Sequence, residues 1–119
     1  MAFFEKVLKK SDGVDIEEFL NNLDVEEESM YEDVDAFVKP VSLQNDADRD
    51  QVIEEIKKGN LILINITDLS KRNALRLRDL VNDIRGVAEE IDGDIARISH
   101  DRILVTPSKV KIIKRRESA

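Results

Sequence analysis

The sequence of 119 residues contains no cysteine and a single histidine, which excludes disulfides, thiolate metal sites and imidazole clusters. Aromatic residues make up only 4% of the chain, which disfavours base-stacking platforms for nucleic acids. The apolar runs are too short for a transmembrane helix, and the first ten residues are too short and too charged for a secretory signal. Since the absence of cysteine also fits a reducing compartment, we predict a cytoplasmic protein.

Charge is distributed unevenly along the chain, whose net charge is −7. Residues 1–10 hold three lysines and one glutamate, whereas residues 11–36 hold eleven acidic side chains and no basic one. Residues 37–119 hold sixteen basic and fourteen acidic side chains, a net charge of +2. We therefore predict three parts: a head over residues 1–10, an acidic flexible linker over residues 11–36 and a folded domain over residues 37–119. Only the folded domain is long enough to bury a core.

The first half of the folded domain shows signals for a strand, a helix and a second strand. The first strand is predicted over residues 36–43, at a sheet edge because Pro40 cannot donate a backbone hydrogen bond. The helix begins within residues 45–50 and ends at Gly59, which suits a left-handed conformation. Residues 61–66 are almost wholly apolar, which predicts a central strand covered on both sides.

The second half predicts one long helix and three short strands. Asp68 or Ser70 caps the helix, apolar residues recur in it at three-to-four spacing, and Gly93 ends it. Gly86 lies inside this helix and either allows the close approach of another backbone or marks a bend. The strands form a hairpin and a last strand: Asp94–Ser99, Arg102–Thr106 and residues 110–113. The predicted fold class is α/β (α+β), a small two-layer sandwich of about five strands and two helices in the order β-α-β-α-β-β-β.

Catalytic chemistry finds no support in the sequence. The serine, histidine and aspartate at residues 99–101 have the residue types of a hydrolytic triad, but consecutive residues of an extended segment point to opposite faces. We interpret them as a hydrogen-bonded turn. The pairs Glu54 with Glu55 and Glu89 with Glu90 are interpreted as solvated helix faces rather than acid/base groups. We therefore predict a protein without enzymatic activity, cofactor or metal.

The head has the pattern of an amphipathic helix that lies flat on a lipid surface. Apolar side chains fall on one side of a helical wheel and lysines on its flank, where each lysine contributes about 1 kcal/mol near anionic headgroups. The predicted membrane-binding residues are Met1, Phe3, Phe4, Lys6, Val7, Leu8, Lys9 and Lys10. The alternative is a terminus that packs on its own domain or frays. The long acidic separation favours the membrane.

The acidic linker is predicted to stay extended, because its charges repel one another and an anionic membrane. Ile16, Phe19, Leu20 and Leu23 occur within it at helical spacing. They indicate a transient acidic helix or a second contact site, or else an unstructured linker with incidental apolar residues. A ten-residue head is marginal as an isolated helix, so two heads on one dimer would bind a membrane far better than one.

A basic tail supports an alternative function, a nucleic-acid-binding or ligand-sensing small α/β domain with an acidic regulatory arm. The tail residues are Lys109, Lys111, Lys114, Arg115 and Arg116. The low net charge and the single aromatic residue of the folded domain, Phe37, weaken this alternative. A solvated strand edge and terminus is the favoured interpretation, and we expect no nucleic-acid partner.

Several motifs follow one another between Val38 and Ile112: VKP, IKKGNLILINI, VNDIRG and IDGDIARISHDRILVTPSKVKI. Together with the head and the acidic linker, they resemble the SepF family of cell-division proteins. Residues 82–86, Glu89 and Ile103 depart from the bacterial pattern, so the sequence looks more like archaeal SepF. The resemblance implies a homodimeric α/β core and an adaptor that holds the C-terminal peptide of FtsZ, the tubulin-like division GTPase, at the membrane.

The resemblance also implies which residues bind the peptide. Arg97 occupies a position where relatives carry a basic residue, and Ile103 one where bacterial relatives carry phenylalanine. The implied peptide-binding set is Arg97, Ile98, Arg102, Ile103 and Arg85. A basic side chain beside an apolar pocket suits an acidic, hydrophobic peptide. The expected partners are the FtsZ peptide, anionic lipids and a second copy, at the inner face of the cell membrane at the division site.

Overall fold

The computed structural model describes residues 15–23 and 33–114. The chain forms two compact units, Met1–Asp33 and Val34–Ala119, and the second is here called the core domain. The predicted membrane-binding residues of the head lie outside the described residues. Within the described ranges, no helix is long and apolar enough to cross a bilayer.

Helix α1, Ile16–Asn21, lies in the first unit. The side chain of Asp15 caps it by accepting hydrogen bonds from two backbone N–H groups, and two glutamates in the first turn suit the positive end of the helix dipole. Ile16, Phe19 and Leu20 each remain about half exposed. Of the two interpretations of the acidic segment, the structure shows the short acidic helix.

The described part of the core domain contains four strands and three helices. In chain order these are β1 Val38–Ser42, α2 Asp46–Lys57, β2 Leu61–Asn65, α3 Thr67–Arg72, α4 Ala74–Glu90, β3 Asp94–Ser99 and β4 Arg102–Thr106. The sheet order is β1-β2-β4-β3, with β1 parallel to β2 and the other pairs antiparallel. The predicted α+β class, the edge position of β1 and the hairpin are confirmed.

Helices α2 and α4 pack on one face of the sheet and form the hydrophobic core with it. On this face Ile62 is paired with Val105 and Ile64 with Ile103, and all four are buried. The helices contribute further buried side chains, namely Val52, Ile56, Leu80, Ile84 and Ala88. Full burial of such an aliphatic side chain stabilises a fold by about 1.5–3 kcal/mol, so this layer dominates the stability of the domain.

The opposite face of the sheet, here called the open face, carries a row of apolar side chains. Pro40, Leu63, Leu104 and Ala96 lie side by side across the four strands. Leu63, Leu104 and Ala96 are only partly buried and Pro40 is exposed. Within one copy of the chain, the second strand is covered on one side only, because α2 and α4 both lie on the Ile62 face, so its predicted coverage on both sides stays a prediction.

Short polar side chains determine where the helices begin. Asn45 caps α2, and Gly59 follows its last turn with a φ of 99°, in agreement with the sequence. The predicted long helix is instead two helices. Neither Asp68 nor Ser70 caps the long one: both lie inside α3, and Asn73 caps α4 by accepting a hydrogen bond from a backbone N–H.

Two glycines of the second half differ in their surroundings. A Cβ added at Gly86 would have no atom within 4 Å outside its own helix backbone, so no other described backbone segment approaches it closely. After α4, the left-handed residue is Asp92, with a φ of 64°, directly before Gly93, the residue predicted to end the helix. Gly93 is needed for a different reason, since a Cβ there would lie 2.2 Å from the backbone oxygen of Thr106.

Residues 108–114, here called the C-terminal strap, do not form the predicted fifth strand. Asp94 holds the strap by accepting hydrogen bonds from the Ile112 N–H at 2.9 Å and from Lys114 Nζ at 2.6 Å. Asp92 accepts one from Lys111 Nζ at 2.9 Å. The strand prediction was wrong because side-chain contacts, rather than a backbone ladder, attach this segment to the start of β3.

Glu55 is buried, contrary to its interpretation as part of a solvated helix face. It is 6% exposed, accepts a hydrogen bond from Asn60 Nδ2 at 2.8 Å and lies 3.2 Å from Lys39 Nζ. Burial raises the pKa of Glu55, but these partners outweigh it and the pKa is lowered, so the carboxylate stays ionised. Asn60 also accepts a hydrogen bond from the Phe37 N–H, so the network ties α2 to the start of β1. The other three glutamates are exposed, as expected.

Candidate functional site

A groove of about 330 Å³ lies between α4 and β3. Apolar side chains from both elements and from β4 form its inner surface: Val81, Ala88, Ile95 and Ile103. Charged side chains surround them: Arg85, Glu89, Asp94, Arg97 and Lys114. The groove is therefore apolar inside, with a rim of three cations and two anions.

The periodicity of the two elements brings these side chains together. Val81, Arg85 and Ala88 recur at three-to-four spacing and so lie on one face of α4. On β3, Ile95 and Arg97 are two residues apart and point to the same face. Because α4 packs over that face of the sheet, the apolar side chains of α4 and β3 meet at the groove. Each element also brings one basic side chain there, Arg85 from α4 and Arg97 from β3.

Among the described residues, Arg97 is the cation of this rim that has no carboxylate partner. Its guanidinium donates hydrogen bonds to the backbone oxygens of Ser99 and His100, which are neutral acceptors. Arg85, in contrast, lies 3.4 Å from a carboxylate oxygen of Glu89. Since backbone oxygens do not cancel a full positive charge, Arg97 is the rim cation best placed to attract an anionic group.

Asp94 remains ionised over the whole physiological pH range. Hydrogen bonds from Lys114 and from the Ile112 N–H lower its pKa to about 2, against a smaller opposing effect of burial. Because the pKa is lower in the folded state, this carboxylate stabilises the protein above pH ~4, and the contribution is lost as the pH falls towards 2. The attachment of the strap is therefore insensitive to pH near neutrality.

The structure brings three of the five implied peptide-binding residues into the groove, namely Arg85, Arg97 and Ile103. Arg102 directly precedes Ile103 on β4, so its side chain points to the open face, where it lines a separate hollow. Ile98 lies at the irregularity of β3 and is about half exposed, outside the groove. The peptide-binding role of all five stays a prediction.

The predicted set left out the other residues that line the groove, among them Val81, Ile95 and Lys114. The first two have the periodicity of ordinary core positions, and nothing local distinguishes them. Lys114 was assigned to a basic tail, but its position depends on Asp94, twenty residues earlier in the chain. Because Lys111 and Lys114 both have carboxylate partners, the structure weakens the nucleic-acid alternative that rested on this tail.

Residues 99–101 form the turn of the hairpin. Ser99 Oγ donates a hydrogen bond to a carboxylate oxygen of Asp101 at 3.2 Å, which confirms the interpretation as a hydrogen-bonded turn. The described ranges contain no group of three or more acidic or imidazole side chains suited to a metal ion.

The chain is a small two-layer α+β domain with an apolar groove that has a charged rim. The family model described as "Cell division protein SepF" matches residues 37–112 of this chain. The chain therefore belongs to the SepF family of cell division proteins, which confirms the resemblance found in its motifs.

Similar proteins occur in both archaea and bacteria. A cell division protein SepF from Haloferax volcanii is 30% identical over 63 residues, which cover 53% of this chain and 52% of the relative. One from Clostridium kluyveri is 29% identical over 107 residues, covering 87% of this chain and 67% of the relative. This chain thus spans about half the length of the Haloferax protein.

Two solved structures share the fold. A SepF-like protein from Pyrococcus furiosus superposes with a TM-score of 0.62 at 26% identity, over 70% of this chain and 100% of that one. A SepF-like protein from Archaeoglobus fulgidus gives the same TM-score at 23% identity, over 70% and 99%. The two-layer architecture is therefore common to this chain and its structural relatives.

Proposed function

We propose that this protein is a non-enzymatic adaptor that anchors FtsZ to the cytoplasmic membrane during cell division. In this proposal the head binds anionic lipid, and a dimeric core binds the C-terminal peptide of FtsZ. Membership of the SepF family supports the role in cell division. The single observation that carries the peptide-binding part is the apolar groove with the uncompensated Arg97 at its rim.

The groove has the chemistry that an acidic, hydrophobic peptide requires. Its volume of about 330 Å³ is at the lower end of the range for ligand sites and suits a few side chains. Val81, Ile95 and Ile103 offer apolar contact, while Arg97 offers a planar guanidinium that can bind a carboxylate with two hydrogen bonds. Apolar burial would supply affinity, and the guanidinium would select an anionic sequence.

The open face of the sheet supports the homodimer. Its apolar row crosses all four strands, so a two-fold axis that is parallel to the sheet and lies between the copies can place the row of one copy against that of the other. Leu63 and Leu104, at the centre of the row, are paired with each other across β2 and β4 and remain only partly buried in one copy. We infer that a second copy of the chain covers this face.

A dimer would also explain how so short a head serves as an anchor. One ten-residue helix binds a membrane weakly, but two heads on one dimer act at a high effective concentration. The acidic segment between head and core repels an anionic surface, which keeps the core domain accessible to its partner. Lipid binding and partner binding are thereby assigned to opposite ends of the chain.

Replacing Arg97 by glutamate is expected to weaken binding of a synthetic FtsZ C-terminal peptide at least ~30-fold, because repulsion replaces a charge-assisted contact worth about 2 kcal/mol. Isothermal titration calorimetry measures the change. Arg78→Glu is the matched control: Arg78 is an exposed arginine of α4 that does not line the groove. Equal affinity of the Arg97→Glu variant and the wild type would show that the peptide binds elsewhere.

Replacing Phe3 and Phe4 by glutamate in the full chain is expected to abolish co-sedimentation with vesicles that contain anionic lipid, because two charges would enter the acyl boundary. The control carries the same change at Phe19 and Leu20, two exposed apolar residues of α1. Wild type and control should pellet with the vesicles. Loss of pelleting in the control, with retention in the head variant, would assign the lipid contact to α1.

A further inference from the structure

The C-terminal strap is fixed next to the groove by a series of contacts at the start of β3. The Lys109 N–H donates to the backbone oxygen of Asp92 at 2.8 Å. Lys111 Nζ donates to the Asp92 carboxylate and to the Gly93 backbone oxygen, each at 2.9 Å. The Ile112 N–H then donates to Asp94 at 2.9 Å. This segment follows one course along β3 and ends at the groove.

Lys114 lies at that end and lines the groove, with about half of its side chain exposed. Its ammonium group is 2.6 Å from Asp94 Oδ1. The Asp94 carboxylate also accepts hydrogen bonds from the backbone N–H groups of Ile95 and Ile112, each at 2.9 Å. Because these two backbone donors remain in place, Asp94 keeps hydrogen-bond partners when Lys114 turns towards a ligand.

The two sides of the groove differ in what they offer an anion. On the α4 side, Arg85 is paired with the exposed Glu89, whose carboxylate repels an incoming acidic group. On the β3 side, Arg97 has neutral backbone acceptors, and Lys114 has a carboxylate partner whose charge is shared with two backbone donors. An acidic peptide is therefore favoured on the side of β3 and the strap.

We propose that the strap is one wall of the peptide-binding groove and that Lys114 is a specificity-determining residue for an acidic peptide. Lys114 and Arg97 bind carboxylates of the peptide on the β3 side, while apolar peptide side chains contact Val81 of α4. Asp94 acts as a positioning residue, since it holds Lys114 at the groove. This inference rests on the proposed function, in which the groove binds the FtsZ peptide.

The strap contains its own matched control, because only one of its three lysines lines the groove. Lys111 and Lys114 each form an ion pair with an aspartate at the start of β3, and only Lys114 contributes to the groove. In the full chain, Lys114→Glu is expected to weaken binding of the FtsZ peptide about 10-fold, and Lys114→Gln about 3-fold. Lys111→Glu should leave the affinity within about 2-fold of the wild type.

A second peptide separates direct contact from a displaced strap. In this peptide every acidic side chain is replaced by its amide and the C-terminus is amidated. If Lys114 contacts a carboxylate, Lys114→Glu and wild type should bind the amide peptide with equal, reduced affinity. If the effect is purely structural, Lys114→Glu should lower the affinity for both peptides by the same factor, which would overturn the assignment of Lys114.

The controls also distinguish this inference from the proposed function. Equal losses in the Lys111→Glu and Lys114→Glu variants would overturn the role of Lys114 while peptide binding by the wild type still stands. Failure of the wild type to bind the acidic peptide would overturn both. Thermal unfolding of each variant shows whether the core domain remains folded during these measurements.

Discussion

Replacing Gly93 by alanine is expected to lower the free energy of unfolding by about 3 kcal/mol, the upper end of the usual cost of overpacking. The added Cβ would lie 2.2 Å from the Thr106 oxygen and 3.1 Å from the Pro107 oxygen. Both atoms belong to the backbone, so a rotamer change cannot relieve the collision. For a domain of this size the midpoint of thermal unfolding should fall by about 15 °C.

Gly86→Ala is the matched control and should have the opposite sign. Gly86 lies within α4 and, outside its own helix backbone, has no atom of the described residues within 4 Å of a Cβ position. Alanine is favoured over glycine in a helix interior, so the variant should gain about 0.5–1 kcal/mol. Circular dichroism melts of both variants test the pair. A Gly93→Ala variant as stable as the wild type would mean that Thr106 and Pro107 move freely.

Leu63→Glu is expected to convert the proposed dimer into monomers. A two-fold interface through the open face would bury this residue twice near its centre, next to Leu104. Each unpaired carboxylate would lose its hydration there at a cost of several kcal/mol, so the dimer dissociation constant should rise more than ~100-fold. Analytical ultracentrifugation across a range of concentrations measures the shift.

Leu75→Glu makes the same substitution at a different surface. Leu75 lies in the first turn of α4 and is 65% exposed, away from the open face. This variant should sediment as the wild type does. If Leu75→Glu gives monomers while Leu63→Glu stays dimeric, the second copy packs against the helices, and the open face is not the interface.

Local signals in the sequence were sufficient for most of the sheet. Pro40 indicated an edge strand, and β1 is indeed at the edge. Gly59, which follows α2, has the positive φ that was predicted for it. The hairpin Asp94–Ser99 and Arg102–Thr106 has the predicted bounds. Each of these features depends on residues close together in the chain, where composition and backbone conformation are directly linked.

The errors fall where contacts are distant in sequence. The sequence around Glu55 does not indicate that Lys39 lies beside it in the fold. In sequence, Glu55 is therefore indistinguishable from an exposed glutamate of a helix. Residues 110–113 resemble a strand in sequence, yet the side chains of Asp92 and Asp94, rather than a backbone ladder, hold them in place. In the groove, Arg97 and Ile103 were found through the family resemblance, whereas Lys114 required the three-dimensional path of the strap.

Pro40 has a consequence for higher-order assembly. Its nitrogen has no hydrogen to donate, and it lies in the middle of a five-residue edge strand. A strand of a neighbouring molecule that pairs with β1 would lack a hydrogen bond at this position, so edge-to-edge extension of the sheet across β1 is disfavoured. Amyloid-like association of a second molecule with this border of the sheet is therefore suppressed.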